Sequence, residues 1–334
     1  MDVKALGLTG KSILKLADLS DGQMLGLVDL ACELKARKRS LAHLTDPWMK
    51  GRNIVLIFEK TSTRTRCATA TAIHDEGGTA EFLGVKESQI GKKESIRDTA
   101  RVLGRMFDGI MFRGFLQKTV EDLAKYSGIP VWNGLTDDWH PSQVLADLQT
   151  MKEHFGRLKG LTLAFVGDGR NNMANSLMVG CAKAGVNFID VCPKALSPAP
   201  EVLAIAEPCA RRNGSWIKVT DDPVNGVEGA NVLYTDVWAS MGEERLFQER
   251  YELLHTFQVN HEMLRHTGFT SPSDVIFLHC LPSFHNNETD TSRECGALEV
   301  TDELFESEYS KVFDEAENRL HTIKAMMVAS LKRV

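Results

Sequence analysis

Short apolar runs alternate along this chain with longer stretches in which apolar positions recur every three or four residues, predicting strands and helices in turn. Residues 53–58 form a continuous apolar run of buried-strand type, followed by a helical pattern over 67–76. A helix over 95–106 leads to a strand at 109–112, and a helix over 119–127 leads to a strand at 129–133. Residues 141–155 read as a long amphipathic helix with Val144, Leu145, Leu148 and Met151 on one side. The alternation then restarts, with strands at 161–166, 187–191, 216–219, 232–235 and 275–278 and helices at 175–184 and 201–213. A last helix over 313–331 carries an apolar stripe. Strands and helices spaced in this way imply an α/β fold of two domains, each a parallel sheet flanked by helices. The expected boundaries are 1–149 and 150–312, with the helix from Pro141 as connector and residues 313–334 packing back on the first domain as a clasp.

Composition changes this picture little. With 334 residues the chain is longer than one core usually serves, and 43% hydrophobic with 25% charged residues is ordinary for a globular protein. The net charge is −6 and the basic residues are dispersed, which argues against a nucleic-acid partner. Lys35, Arg37, Lys38 and Arg39 read as the solvated end of a helix. There is no signal-peptide pattern at the N-terminus and no apolar run long enough for a membrane span, so a cytoplasmic protein without a membrane partner is expected. The seven cysteines are scattered and never form a C-x-x-C pair, which fits reduced packing thiols better than disulfides or a zinc site; Cys280 stands apart.

Ligands of open parallel sheets sit outside the carboxyl ends of the strands, so the residues following each strand are the candidates. After the first buried strand comes Glu59-Lys-Thr-Ser-Thr-Arg-Thr-Arg66, leading into a helix. Ser62, Thr63 and Thr65 bring hydroxyls, and Arg64 and Arg66 guanidinia, to a helix N-terminus that already favours an anion. A cap needs one hydroxyl; the surplus points to phosphate. Arg113 follows another strand and can reach the same face as Arg64. His140 and Gln143 present an imidazole and an amide on one side of a helix start, although His-Pro alone is equally a turn with a cap. Gly167-Asp-Gly-Arg-Asn-Asn172 invites a dinucleotide fingerprint with Asp190 as ribose acid, but Asn172 stands where the third glycine belongs. Asp236 follows a strand and suits the α-ammonium of an amino acid, with Ser240 and the Met241 backbone nearby; a helix cap is the plainer alternative. Cys280 ends a strand beside His279, and nothing around it resembles a cysteine hydrolase.

Ser62-Thr-Arg-Thr-Arg66, Phe112-Arg-Gly114, His140-Pro-Ser-Gln143 and His279-Cys-Leu-Pro282 together resemble the transcarbamylases, and Asp236-Val-Trp-Ala-Ser-Met-Gly242 resembles the ornithine branch of that family. Gly167–Asn172 and Glu317-Asn-Arg319 also match, so the resemblance runs from about Ser12 to Leu331 in the family's order. It implies transfer of the carbamoyl group of carbamoyl phosphate to the side-chain amine of L-ornithine, giving citrulline and phosphate, with a first domain for carbamoyl phosphate and a second for ornithine. Ser62, Thr63, Arg64 and Thr65 would bind the phosphate, and Arg113 would bridge phosphate and carbamoyl oxygen. Arg113, His140 and Thr65 would then form an oxyanion hole, Gln143 would hold the carbamoyl NH2, and Arg319 would contact the carbamoyl end. For Arg319 an exposed helix charge paired with Glu315 is the alternative. Asn172, Asp236, Ser240 and Met241 would hold ornithine, while Cys280 and the Leu281 carbonyl orient the amine. The Ser240-Met-Gly242 loop is a candidate lid. Gln89 would reach a neighbouring subunit's site, which makes the expected oligomer a trimer or a multiple of trimers. No metal or organic cofactor is implied. Arginine metabolism is, in either the biosynthetic or the breakdown direction, and a transcarbamylase for putrescine or an acetylated ornithine stays open as a rival. A non-catalytic relative would not need Arg64, Arg113, His140 and Cys280 together.

Overall fold

The apolar runs become strands that are covered on both faces. In β1 (Asn53–Phe58) the residues from Ile54 to Phe58 are all buried, as are β3 (Gly109–Arg113) and β4 (Val131–Leu135) throughout their length, as expected for parallel strands with helices on either side. The computed structural model describes residues 2–84, 90–91, 93–239, 244–290, 292–293 and 295–331. Within it the chain forms two units, one of residues up to Gln149 together with those from Glu317 onward, the other Thr150–Ala316.

The first unit holds α1 (Asp21–Arg39), β1, α2 (Arg64–Asp75), β2 (Thr79–Gly84), α3 (Ile96–Met106), β3, α4 (Gln117–Ser127), β4 and the start of α5 (Pro141–Phe155). Its four strands run parallel in the order β2-β1-β3-β4. The chain moves outward from β1 to β2 and returns on the other side at β3, so the crevice between the carboxyl ends of β1 and β3 is the expected ligand position. Two elements escape the periodicity. Strand β2 lies on the edge, half exposed and without an apolar run. Helix α1 starts at a capping box, Ser20 Oγ accepting from Gln23 N at 3.1 Å and Gln23 Oε1 from Ser20 N at 2.9 Å.

The basic end of α1 is not simply solvated. Lys35 is buried and donates to Asn318 Oδ1 at 2.7 Å, and Lys38 meets Asp75 Oδ2 at 2.6 Å. Asn318 lies on α11 (Val312–Ser330), whose residues from Glu317 belong to this unit. Lys324 on the same helix is fully buried, 2.9 Å from Asp75 Oδ2 and 3.2 Å from Glu76 Oε1. Burial works against the Asp75 carboxylate, but hydrogen bonds from Lys38 and Lys324 hold its pKa below the usual value.

The second unit carries β5 (Thr162–Val166), α6 (Asn172–Ala184), β6 (Asn187–Val191), α7 (Pro200–Asn213), β7 (Ile217–Thr220), β8 (Val232–Thr235), α8 (Phe247–Leu254), α9 (His261–His266), β9 (Ile276–His279) and α10 (Asp302–Phe305). The parallel order is β7-β6-β5-β8-β9, which puts the switch point between the ends of β5 and β8. Helices α8 and α9 are short and were not apparent in the apolar pattern. Cys181, Cys192 and Cys209 are packing residues, whereas Cys67 and Cys295 are exposed, a correction to the expectation that all but Cys280 would be buried. Among the described residues no helix is long and apolar enough to cross a membrane.

Asp190 on β6 is fully buried and neither carboxyl oxygen has a hydrogen-bond partner of ordinary geometry. Burial pushes its pKa up to about 8; the Cys192 thiol draws it back and Asp168 adds to the rise. The folded protein therefore holds a proton that an unfolded chain, with the ordinary value of 3.8, has lost. This contribution is complete below the unfolded pKa and is lost as the pH rises through the folded one. Between pH 6 and 9 the protein should lose roughly 2–3 kcal/mol of stability relative to Asp190→Asn. Urea-unfolding free energies of the two proteins that changed equally with pH across that range would instead mean that Asp190 is already ionised in the fold at pH 6.

Candidate functional site

In the first unit, the helix start after β1 collects the polar groups. Ser62 Oγ accepts from Thr65 N at 3.1 Å and so does the capping. Thr65 is buried, and its Oγ1 accepts from Arg319 Nη2 at 2.7 Å and Arg113 Nη1 at 3.4 Å, leaving its hydroxyl hydrogen as the group it can present. Arg319 Nη1 also donates to Gln143 Oε1 at 2.7 Å, and Gln143 Nε2 donates to Asp147 Oδ1 at 2.9 Å. Arg319 is only 2% exposed, which replaces the image of a solvated helix charge. Arg66 is exposed and lies over the Phe82 ring with Cζ 3.5 Å from its centroid, so it belongs to a cation–π contact on the edge strand.

His140 is 3% exposed. Burial, then the charges of Arg319, Arg113, Arg64 and Lys60, hold its pKa well below the usual histidine value, so the ring is neutral near pH 7 and can donate one N–H. Its Nδ1 lies 3.5 Å from Ser142 Oγ. Lys60 is a residue the sequence reading missed. Its buried ammonium is 2.5 Å from Asp137 Oδ1 and 4.7 Å from the Phe115 ring centroid, adding positive potential without projecting into solvent. Thr63 and Arg64 lie at the N-terminus of α2. Gln89 lies outside the described residues.

The second unit assembles its own constellation at the ends of β5, β8 and β9. Asn171 caps α6, Oδ1 accepting from Met173 N at 2.6 Å, while its Nδ2 donates to Asp236 Oδ2 at 3.0 Å. Asp236 Oδ1 accepts from Cys280 Sγ at 3.1 Å and from its neighbour Val237 N at 2.8 Å. Asn172 follows as the first residue of α6 and is partly exposed. Ser240 and Met241 lie outside the described residues. Asn171, adjacent to the predicted Asn172, thus both caps α6 and supports Asp236.

The strand-end loop after β9 is held by buried groups with no local sequence signal. His279 Nδ1 accepts from Leu281 N at 2.9 Å, so Nε2 carries the hydrogen and faces Glu299 Oε1 at 3.2 Å. Glu299 Oε1 also accepts from Ser283 Oγ at 2.9 Å and Phe284 N at 2.6 Å. Burial opposes ionisation of Glu299, yet the hydrogen bond from His279 and the other donors keep it below the usual carboxylate range. Glu315 closes the other side, Oε2 accepting from His279 N at 2.9 Å and Oε1 from Tyr234 Oη at 3.3 Å. Leu281 adopts φ 57°, left-handed for a leucine, ahead of a cis bond to Pro282.

The ligating atoms of Asp236, His279 and Cys280 lie within 4.8 Å of one another, but both His279 ring nitrogens are engaged, which does not suit a metal ligand. His285, Asp302 and Glu306 form a second, more exposed trio. The dinucleotide reading fails on packing: Asp190 points into the core, and a Cβ at Gly169 would stand 2.9 Å from its Oδ2 and 2.8 Å from the Leu196 carbonyl. The ribose-binding position is thus filled by protein.

Two family models match the chain. Residues 11–153 match the family model described as aspartate/ornithine carbamoyltransferase, carbamoyl-P binding domain, and residues 159–330 match that of the Asp/Orn binding domain. The chain is 53% identical over 329 residues to a catabolic ornithine carbamoyltransferase of Enterococcus faecalis, covering 96% of each. It is also 53% identical over 334 residues to catabolic ornithine carbamoyltransferase 2 of Staphylococcus epidermidis, covering 98% of each. Among solved structures, the ornithine carbamoyltransferase from Pyrococcus furiosus superposes with a TM-score of 0.88 at 38% identity, covering 97% of this chain and 98% of that one.

The loop after β9 supplies a test of the buried network. Glu299→Ala removes the acceptor of three donors, and leaving buried donors unsatisfied should cost at least about 3 kcal/mol. An unfolding free energy from urea titration lowered by less than about 1 kcal/mol would mean the His279–Glu299 pair does not hold the loop.

Proposed function

The chain belongs to the aspartate/ornithine carbamoyltransferase family, and from that premise we propose that it carbamoylates the side-chain amine of L-ornithine, with carbamoyl phosphate as donor and citrulline and phosphate as products. The observation that carries the carbamoyl phosphate half is the convergence of Arg319 and Arg113 on Thr65, beside a neutral His140. Ser62, Thr63, Arg64 and Thr65 take the phosphate at the N-terminus of α2, where the helix dipole adds to the guanidinium charge. Attack on the carbamoyl carbon builds negative charge on its oxygen, which Arg113, His140 and Thr65 stabilise by donation. Gln143, whose carbonyl is held by Arg319, turns toward the carbamoyl NH2. A C–N bond forms, the C–O bond to phosphate breaks, and the amine proton leaves with the phosphate. Catalysis is positioning and electrostatics.

On the amino-acid side, Asp236 takes the α-ammonium, and Asn172 with Ser240 and the Met241 backbone takes the α-carboxylate. Cys280 and the Leu281 carbonyl orient the attacking amine. The active oligomer is a trimer or a multiple of trimers. The breakdown direction is favoured, because relatives at 52–53% identity carry the name catabolic ornithine carbamoyltransferase. An assay of citrulline formation from the two substrates tests the whole reading.

Arg64→Ala should lower turnover or carbamoyl phosphate affinity by about 10²–10³, the scale of one preorganised charge contact. Near-normal kinetics would remove Arg64 from the site. Substrate choice rests on the α-carbon, since putrescine offers the same amine without a carboxylate. Asn172 and the Met241 backbone would then lack a partner, at about 1–3 kcal/mol for each unpaired group, so kcat/KM should favour ornithine by at least ~10³. Asp236→Ala should damage ornithine turnover most. If putrescine is the better wild-type substrate, the ornithine assignment is wrong while the carbamoyl phosphate assignment stands.

A further inference from the structure

One nearly buried ion pair of the second unit has no role in the chemistry above. Arg250 Nη1 on α8 lies 3.1 Å from Asp168 Oδ2, with the two side chains 12% and 9% exposed. Such a pair differs from a solvated surface bridge, because removing one partner strands a charge in a dry environment.

Asp168 organises the loop after β5. Its Oδ1 accepts from Arg170 N at 2.9 Å, and its carbonyl accepts from Asn171 N at 3.0 Å. The same loop delivers Asn171, which holds the Asp236 carboxylate, and Asn172 next to it. Arg250 is contributed by α8. Its helix packs over the segment that follows Asp236: Leu254 clusters with buried Trp238, Leu196 and Leu298, and Tyr251 meets the Trp238 ring edge-on at 6.0 Å. The ion pair therefore ties the loop bearing Asn172 to the helix that covers the residues just after Asp236.

We propose that Asp168 and Arg250 are positioning residues for the amino-acid substrate, fixing the separation between Asn172 and Asp236 that an α-carboxylate and α-ammonium require. This inference rests on the proposed function and goes beyond it by naming residues that touch no substrate. It predicts selective damage. Carbamoyl phosphate is assigned to residues of the first unit, so its binding serves as an internal control.

The test uses the full-length protein and the variants Arg250→Met, Asp168→Asn, the double variant, and Arg250→Lys. Steady-state kinetics at saturating carbamoyl phosphate give KM and kcat for ornithine, and calorimetry gives the dissociation constant of carbamoyl phosphate. Each single variant should raise KM for ornithine about ten- to a hundredfold, as expected from a small misplacement of binding groups. The dissociation constant of carbamoyl phosphate should stay within about twofold of wild type. The double variant should be no worse than the singles, because the two residues act as one unit, and Arg250→Lys should recover most of the loss. If Arg250→Met does not fold, Asp168→Asn and Arg250→Lys carry the same comparison. An unchanged ornithine KM in a folded single variant overturns the proposal, and so does equal loss of both ligands, which marks general structural damage. A wild-type protein indifferent to ornithine overturns the amino-acid reading and this proposal together, whereas a saturable wild type beside unaffected variants overturns this proposal alone.

Discussion

Helix α2 is gripped at both ends by cations of one other helix, and the polar cluster at its N-terminus depends on that grip. Arg319 holds the first turn through Thr65, and Lys324, five residues on, holds the last turn through Asp75 and Glu76. A carboxylate at a helix C-terminus opposes the dipole, and buried Lys324 together with Lys38 offsets it. With the far end neutralised and the near end anchored, the N-terminus of α2 keeps a fixed direction for its free N–H groups. Arg113, Arg64 and Lys60 then surround it with like charge. Two unit charges 4 Å apart repel by about 4 kcal/mol at an effective dielectric of 20, so rigid scaffolding is what keeps such a set together. His140 stays neutral first because it is buried, and then because protonation would add one more cation to the group.

The second unit solves the opposite problem. Its central group is an anion, Asp236, supported by the amide of Asn171 and the thiol of Cys280. Three strand ends contribute to it, and each arrives with its own support: the Asp168 loop after β5, the Trp238 cluster after β8, and the His279–Glu299–Glu315 network after β9. The architecture is that of a dinucleotide-binding sheet, but the acid on β6 is turned into the core and the glycine loop is closed over it.

What was legible in the sequence follows from physical range. Apolar runs announce buried strands because burial on two faces demands them, and a surplus of hydroxyls and guanidinia at one helix start exceeds any capping need. Edge strand β2 was illegible because solvent exposure relaxes its composition. Lys60 was passed over because a lysine in a polar loop looks solvated until Asp137, 77 residues away in sequence, is seen to hold it. Glu299 and Glu315 were hidden for the same reason, since partners 20 and 36 residues distant leave no local spacing. Asn171 caps α6, and that its amide also holds Asp236 depends on a contact across 65 residues. The candidate residues were found where chemistry is dense locally, and their supports were missed where the fold alone brings them together.

Leu281 shows how such a site constrains sequence drift. A left-handed φ costs a leucine roughly 1–2 kcal/mol, and glycine would relieve it, yet the leucine side chain is packed against the core formed by Phe277, Val300 and their neighbours. Backbone relief and side-chain anchorage pull the position in opposite directions. A glycine would relax the turn but surrender the apolar contact with that core, and a β-branched residue would keep apolar bulk while worsening the turn. Single-step substitutions therefore lead downhill from leucine in either direction, so the position is locked by two unrelated penalties rather than by one indispensable contact.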